Sequence, residues 1–427
     1  MLIAAPSSGA GKTTVTLALL RALKRSGQSV ASAKSGPDYI DPKFHEAASG
    51  AACVNLDAWA MNGTTLRSLA AERAAGHELL IVEGAMGLFD GAADGSGSAA
   101  DLAAALGLPV VLVVDCARQA QSVAALVHGF GSFRPEIRLA GVILNRVGSA
   151  RHEAMLRRAL APLDIDVLGA LPRSEDLVLP ERHLGLVQAG EHGGLEAFLE
   201  NAAAICAQHV DLQRIETHAA DLTPAPENAP HLPAPLGQRI AIARDIAFAF
   251  AYPHLLEFWQ SQGAELSFFS PLADEAPWRD ADAIYLPGGY PELHAGGLAA
   301  ASGFRSGMLE AARSGTSIYG ECGGYMALGA GLVDADGARH EMLGLLPLET
   351  SFQSRKRHLG YRRISPLGGL PWQGRLAAHE FHYASIVSEG AAKRLFAAED
   401  AEGNRLADMG MRIGTVMGSF AHVIASA

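Results

Sequence analysis

The chain is expected to fold as α/β throughout: a P-loop domain on a mainly parallel sheet, then a second α/β domain. Three observations predict this. Apolar strand-like runs alternate with Ala/Leu-rich helical stretches from 1 to about 195, the rhythm lapses in a proline-rich stretch, and it restarts after 237.

In chain order, the first strands are "LLIVEGA" (79–85), "LPVVLVVDC" (108–116), "LAGVILNRV" (139–147) and "DVLGALP" (166–172). Continuous apolar strands must be covered on both faces, which points to a parallel sheet flanked by helices. The stretch around "TPAPENAPHLPAP" (223–235) has no sustained period, so 196–237 is expected as a linker region between domains 1–195 and 238–427. "RIAIARD" (239–245), "ELSFFSP" (265–271), "DAIYLPGG" (282–289) and "TSIYGECGG" (316–324) then resume the alternation.

A hydrophobic content of 49% with 19% charged residues is globular, and no apolar run reaches the ~18 residues of a membrane span. The start lacks the pattern of an export signal, so a cytoplasmic protein is expected. The net charge of −11 excludes a broad nucleic-acid surface, and anionic ligands must be met by local sites. Cys53, Cys116, Cys206 and Cys322 show no metal or disulfide spacing and are expected as reduced thiols.

"MLIAAPSSGAGKTTV" places a short strand, a small-residue loop and a helix in the order that a phosphate-binding loop needs. Backbone N–H groups around Gly9 and Gly11 can curl about phosphate oxygens, Lys12 can neutralise them, and Thr13 can hold Mg²⁺, with Thr14 beside it. Pro6 stands where the first glycine of the motif is usual. Ser7 replaces the second lysine of switch ATPases, which disfavours that class. Glu83 ends a buried strand, where ligands of open α/β sheets bind. Lys34, Asp38 and Asp41 cluster in "KSGPDYIDP", and Thr13, Asp41 and Glu83 are the expected Mg²⁺ ligands. Asp38 and Asp41 read equally as turn residues beside prolines, and Asp115 is ambiguous in the same way.

In the C-terminal half, "SIYGECGGYM" is a strand that runs into Cys322 and then a helix, an arrangement able to present a nucleophile and to lower its pKa. Gly288-Gly289 in "YLPGGYPE" and the N–H of Gly323 could stabilise an oxyanion, with Gly289 and Gly323 the expected pair. His422 in "MGSFAHV" is the candidate base.

"YGECGGYM", "YLPGGYPEL" and "GSFAH" together resemble a class I glutamine amidotransferase domain. Such domains usually carry a glutamate two residues after the histidine. Here that position is Ile424, as in the cobyrinic/cobyric acid synthase type, which leaves the partner that orients His422 open. "APSSGAGKTT", "KSGPDYIDP", "VEGAMGLFDG", "GVILNRV", "LPERHLGLV", "ARDIAFAF" and "FFSPLADE" extend the resemblance, over almost the whole chain, to the cobyrinic or hydrogenobyrinic acid a,c-diamide synthases. The P-loop half is then dethiobiotin synthetase-like. The resemblance implies an ATP-dependent carbon–nitrogen ligase with Mg²⁺, glutamine and a corrinoid polycarboxylate as partners. Asn145 resembles a purine-contacting residue, or it is an end-of-strand cap. Asp38, Tyr39 and Asp90 become candidate substrate contacts, joined by Arg357 and Arg362 from the basic run "SRKRHLGYRR" (354–363), which reads equally as a solvated loop. The resemblance implies amidation of the a and c carboxylates and leans toward the metal-free, hydrogenobyrinic branch; a Ni-sirohydrochlorin or other tetrapyrrole amidase and a regulatory P-loop ATPase with an inert second module stand as alternatives, and a homodimer is left open.

Overall fold

The computed structural model describes residues 1–178, 181–182, 185–186, 188–191, 193–225 and 230–427. It divides into two compact units, Met1–Pro230 and His231–Ala427. Part of "LPERHLGLV" lies outside the described residues.

The first unit is built on seven strands: β1 (Leu2–Ala4), β2 (Val30–Ser35), β3 (Cys53–Leu56), β4 (Leu79–Glu83), β5 (Val110–Asp115), β6 (Leu139–Val147) and β7 (Val167–Pro172). Their order is β3-β2-β4-β1-β5-β6-β7, and every pairing is parallel. Central residues such as Ile3, Ile81, Val82, Val111 and Val113 are fully buried, as a sheet covered on both faces requires. Helix α1 (Lys12–Arg25) follows β1, and α2 (Asp41–Ser49) follows β2, so the phosphate-type loop and the Asp38/Asp41 turn leave the carboxyl ends of the two strands that flank β4, which itself ends at Glu83.

The stretch expected as linker contains helix Leu195–His209, which packs on α1. Phe198, Leu199, Ala202, Ala203 and Cys206 form a buried stripe at helical spacing. Arg21, itself nearly buried, pairs with Glu196 at 2.8 Å and Glu200 at 2.6 Å.

In the second unit a six-stranded sheet runs Glu265–Phe269, Arg239–Ala243, Ala283–Leu286, Ser317–Glu321, Val416–Ser419, Met411–Ile413, parallel except for its last pair. A separate antiparallel sheet joins Phe396–Asp400, His358–Pro366, Leu376–His382 and Ala421–Ser426. Val416–Ser419 and Ala421–Ser426 follow one another directly, so the chain passes from the parallel sheet to the antiparallel one just before His422. Among the described residues no helix is long and apolar enough to cross a membrane.

Candidate active sites

In the first unit the loop before α1 is held by its glycines. Gly9 and Gly11 adopt φ of 80° and 86°, conformations open to glycine at little cost. A Cβ on Gly11 would lie 2.3 Å from Asn145 Nδ2, and that amide donates to the Ala10 carbonyl at 2.9 Å. Asn145 therefore braces the loop. It also lines, with Gly11, Thr14, Asp115 and Arg146, a cavity of about 790 Å³. Lys12 Nζ donates to the Met86 carbonyl at 3.2 Å, and burial together with the charge of Lys34 lowers its pKa.

Thr13, Asp41 and Glu83 converge. Thr13 Oγ1 donates to Glu83 Oε1 at 2.6 Å and lies 3.4 Å from Asp41 Oδ2. Lys34 Nζ sits among the same oxygens, bonded to Asp41 and, at 2.8 Å, to Glu83. His45 Nε2 reaches the other Glu83 oxygen at 2.7 Å. Burial opposes a charge on Glu83, but Lys34 and His45 outweigh it and hold the carboxyl below its usual range. Burial and the charge of Asp38 raise Asp41 to about 6. Asp38 Oδ1 accepts from the N–H groups of Ile40 and Asp41, which shapes the entry to α2. Tyr39 is half-buried beside it, and Asp90 is exposed, accepting from Gly87 N at 3.0 Å within its own loop.

In the second unit Cys322 sits between strand Ser317–Glu321 and helix Gly323–Leu328 with φ 46° and ψ −103°, a strained conformation for a residue with a Cβ. The surrounding glycines are needed for close approach. A Cβ on Gly323 would lie 2.9 Å from Gly289 N, and one on Gly324 would lie 2.0 Å from the Leu286 carbonyl. Gly289 and Gly323 are thus brought together. A Cβ on Gly288 would meet His422 Cε1 at 2.2 Å, so this glycine backs directly onto the Cε1 edge of the imidazole. His422 is 1% exposed, paired in register with His379, and burial lowers its pKa to about 3.

The expectation of a lowered thiol pKa is corrected. Cys322 is only 4% exposed, and burial, with the nearby charge of Glu292, pushes the thiol up. The N–H of Gly323 works in the opposite direction but does not offset the burial.

The basic run divides. Arg355, Lys356 and Arg357 are exposed, whereas Arg362 lies on strand His358–Pro366 and holds Glu380 at 2.8 Å. Glu380 also contacts His382 at 3.1 Å, and with His358 their ligand atoms fall within 4.8 Å of one another. Sequence reasoning passed over Glu292, Glu321, Glu380 and His382. Glu292 and Glu321 sit inside the quoted motifs, but their burial, and the partners that burial forces on them, come from distant strands.

Residues 239–427 match the family described as the CobB/CobQ-like glutamine amidotransferase domain, and residues 1–187 match the CobQ/CobB/MinD/ParA nucleotide binding domain. The chain is 63% identical over 428 residues to a hydrogenobyrinate a,c-diamide synthase of Brucella abortus, covering 99% of this chain and 98% of that one. Proteins of the same name from Rhizobium meliloti and Rhodobacter capsulatus are 61% and 54% identical, covering 99% and 100% of this chain and 98% of each relative.

Proposed function

The chain belongs to the family of hydrogenobyrinate a,c-diamide synthases, and from that premise we propose that it amidates the a and c carboxylates of hydrogenobyrinic acid, using ATP and ammonia released from glutamine. The observation that carries this reading is the pairing, within one chain, of a thiol on a strained turn, whose next residue Gly323 meets Gly289 while Gly288 meets His422, with a phosphate-type loop facing Glu83 and Asp41.

A carboxylate is a poor acyl donor, so the first step on this reading is transfer of the γ-phosphoryl group to it, giving ADP and an acyl phosphate; ammonia then attacks the acyl carbon, and phosphate leaves as the amide forms. Lys12 and the loop N–H groups hold the phosphates, and Asn145 fixes the loop's shape. The oxygens of Thr13, Asp41 and Glu83 are hard donors gathered in one place, which suits Mg²⁺. When bound there, Mg²⁺ would offset charge on the transferring phosphoryl group. Lys34 keeps these carboxylates together at rest, and Asp38, Tyr39 and Asp90 flank the same end of the sheet as substrate contacts. Exposed Arg357 suits a carboxylate-rich ligand better than Arg362, whose guanidinium is already committed to Glu380.

In the second unit His422 takes the Cys322 proton, the thiolate attacks the glutamine carboxamide, and the N–H groups of Gly289 and Gly323 face the oxyanion. Because burial disfavours the free thiolate, proton transfer accompanies attack on bound glutamine.

The test is ADP formation with hydrogenobyrinic acid, cobyrinic acid or Ni-sirohydrochlorin as acceptor, with mass spectrometry of the product. Two amide substitutions on hydrogenobyrinic acid are expected. Turnover confined to Ni-sirohydrochlorin would replace the proposed substrate, and ADP formation without any amide would contradict the ligase reading.

A further inference from the structure

Position 424, where an acid usually orients the histidine, is a fully buried isoleucine. A carboxylate reaches His422 from another direction. Glu321, the residue immediately before Cys322, places Oε2 3.9 Å from His422 Nδ1. Both side chains are almost wholly enclosed, at 2% and 1% exposed. Three donors fix the carboxylate: Tyr285 Oη donates to Oε2 at 2.8 Å, Tyr319 Oη to Oε1 at 3.1 Å, and the N–H of Val423 to Oε1 at 3.1 Å. Val423 directly follows His422, so one carboxylate faces the imidazole and pins the backbone that carries it. The two tyrosines are register partners on adjacent strands with stacked rings, which leaves Glu321 little freedom. Glu380, the other carboxylate in this neighbourhood, is held by Arg362 and His382 instead.

We propose that Glu321 is a positioning residue for the glutaminase step, orienting His422 through Nδ1 and stabilising the imidazolium that forms when Nε2 takes the Cys322 proton. This rests on the reading of Cys322 and His422 as the glutaminase pair. In that step the proton moves from Sγ to Nε2 and a C–S bond forms at the carboxamide carbon. The C–N bond then breaks as Nε2 returns the proton to the leaving ammonia, and water later hydrolyses the thioester. Glu321 accepts no proton in this sequence. A separation of 3.9 Å is longer than a hydrogen bond, and catalytic contacts of this kind commonly tighten only with substrate bound. The nucleophile and the group orienting its base are then sequence neighbours on one strand end, which frees position 424 to be apolar.

The groups facing this pair are Tyr285, Tyr319 and Cys322 from the parallel sheet and its turn, and His379, Glu380 and His382 from the antiparallel sheet. Burial raises Glu321 to about 7, so its ionisation falls within the range of a glutaminase pH profile.

The experiment compares wild type, Glu321→Gln, Glu321→Asp and Cys322→Ala for glutaminase kcat and KM between pH 5.5 and 8.5, and for ammonium-driven ADP formation. Glu321→Gln should lose about 100-fold or more in glutaminase kcat, with KM for glutamine within about 3-fold, and ammonium-driven turnover should persist. Its acid limb should shift, and Glu321→Asp should recover about tenfold over the glutamine variant. Wild-type kcat and pH profile in Glu321→Gln would overturn the proposal, as would equal loss of both activities. Glutaminase surviving in Cys322→Ala would instead overturn the glutaminase reading itself.

Discussion

Gly288→Ala is the sharpest steric test of the thiol site. The added Cβ would lie 2.2 Å from His422 Cε1, whereas ordinary contact begins at 3.4 Å, so the imidazole or the strand end must move by about 1.2 Å. Both rings and strands here are buried, and His422 is 1% exposed, so the displacement has nowhere to relax cheaply. A misplacement of about 1 Å can cost about 100-fold in rate. Overpacking should cost about 1–3 kcal/mol of stability. The assay is glutamate release from glutamine, run beside ADP formation driven by an ammonium salt. Glutaminase kcat should fall about 100-fold while ammonium-driven turnover stays within about twofold. Glutaminase within about threefold of wild type would refute the claim that Gly288 is what keeps His422 in place.

Glu83→Leu should cost about 3–5 kcal/mol in urea denaturation, because Lys34 and His45 would lose the carboxylate that compensates them in a fully buried site. An unchanged midpoint would show that these cations are not held by Glu83. Glu292 is raised by burial from 4.5 to about 7, so its protonated form is favoured on folding. Its contribution is full below about 4.5 and is lost as pH rises toward 7, by up to about 3 kcal/mol at about 1.4 kcal/mol per unit. Glu292→Gln should therefore gain stability relative to wild type across that window, and a parallel pair of curves would contradict it. Arg357→Glu, on an exposed loop, should raise KM for the corrinoid several-fold with glutaminase unchanged; an unchanged KM would remove Arg357 from substrate binding.

Much of the fold was readable because its signals are local. Apolar runs such as "VVLVVD" can only be strands covered on both faces, and the order strand, glycine-rich loop, Lys12-Thr13, helix is a short-range pattern. The turn at Cys322 was legible from its own glycines, although the backbone that requires them, at Leu286 and Gly289, belongs to the end of the neighbouring strand. What escaped depends on pairing across distance. The antiparallel sheet that carries Glu380, His382 and His422 is made of mixed polar strands, so "SRKRHLGYRR" read as a basic run rather than as the approach to a strand whose adjacent Arg362 and Arg363 face different partners. Helix Leu195–His209 escaped because its apolar stripe is small, with two alanines and a cysteine among five positions. The direction of the Cys322 shift escaped because burial, unlike a motif, is a property of the whole unit.

The central claim is that one chain both releases ammonia at Cys322 and consumes it in an ATP-driven amidation. Cys322→Ala assayed for ADP and diamide formation from hydrogenobyrinic acid, with glutamine in one arm and ammonium salt in the other, tests it most directly. Glutamine-driven turnover should vanish while ammonium-driven turnover remains near wild type. Glutamine-driven diamide formation that survives in Cys322→Ala would contradict the account.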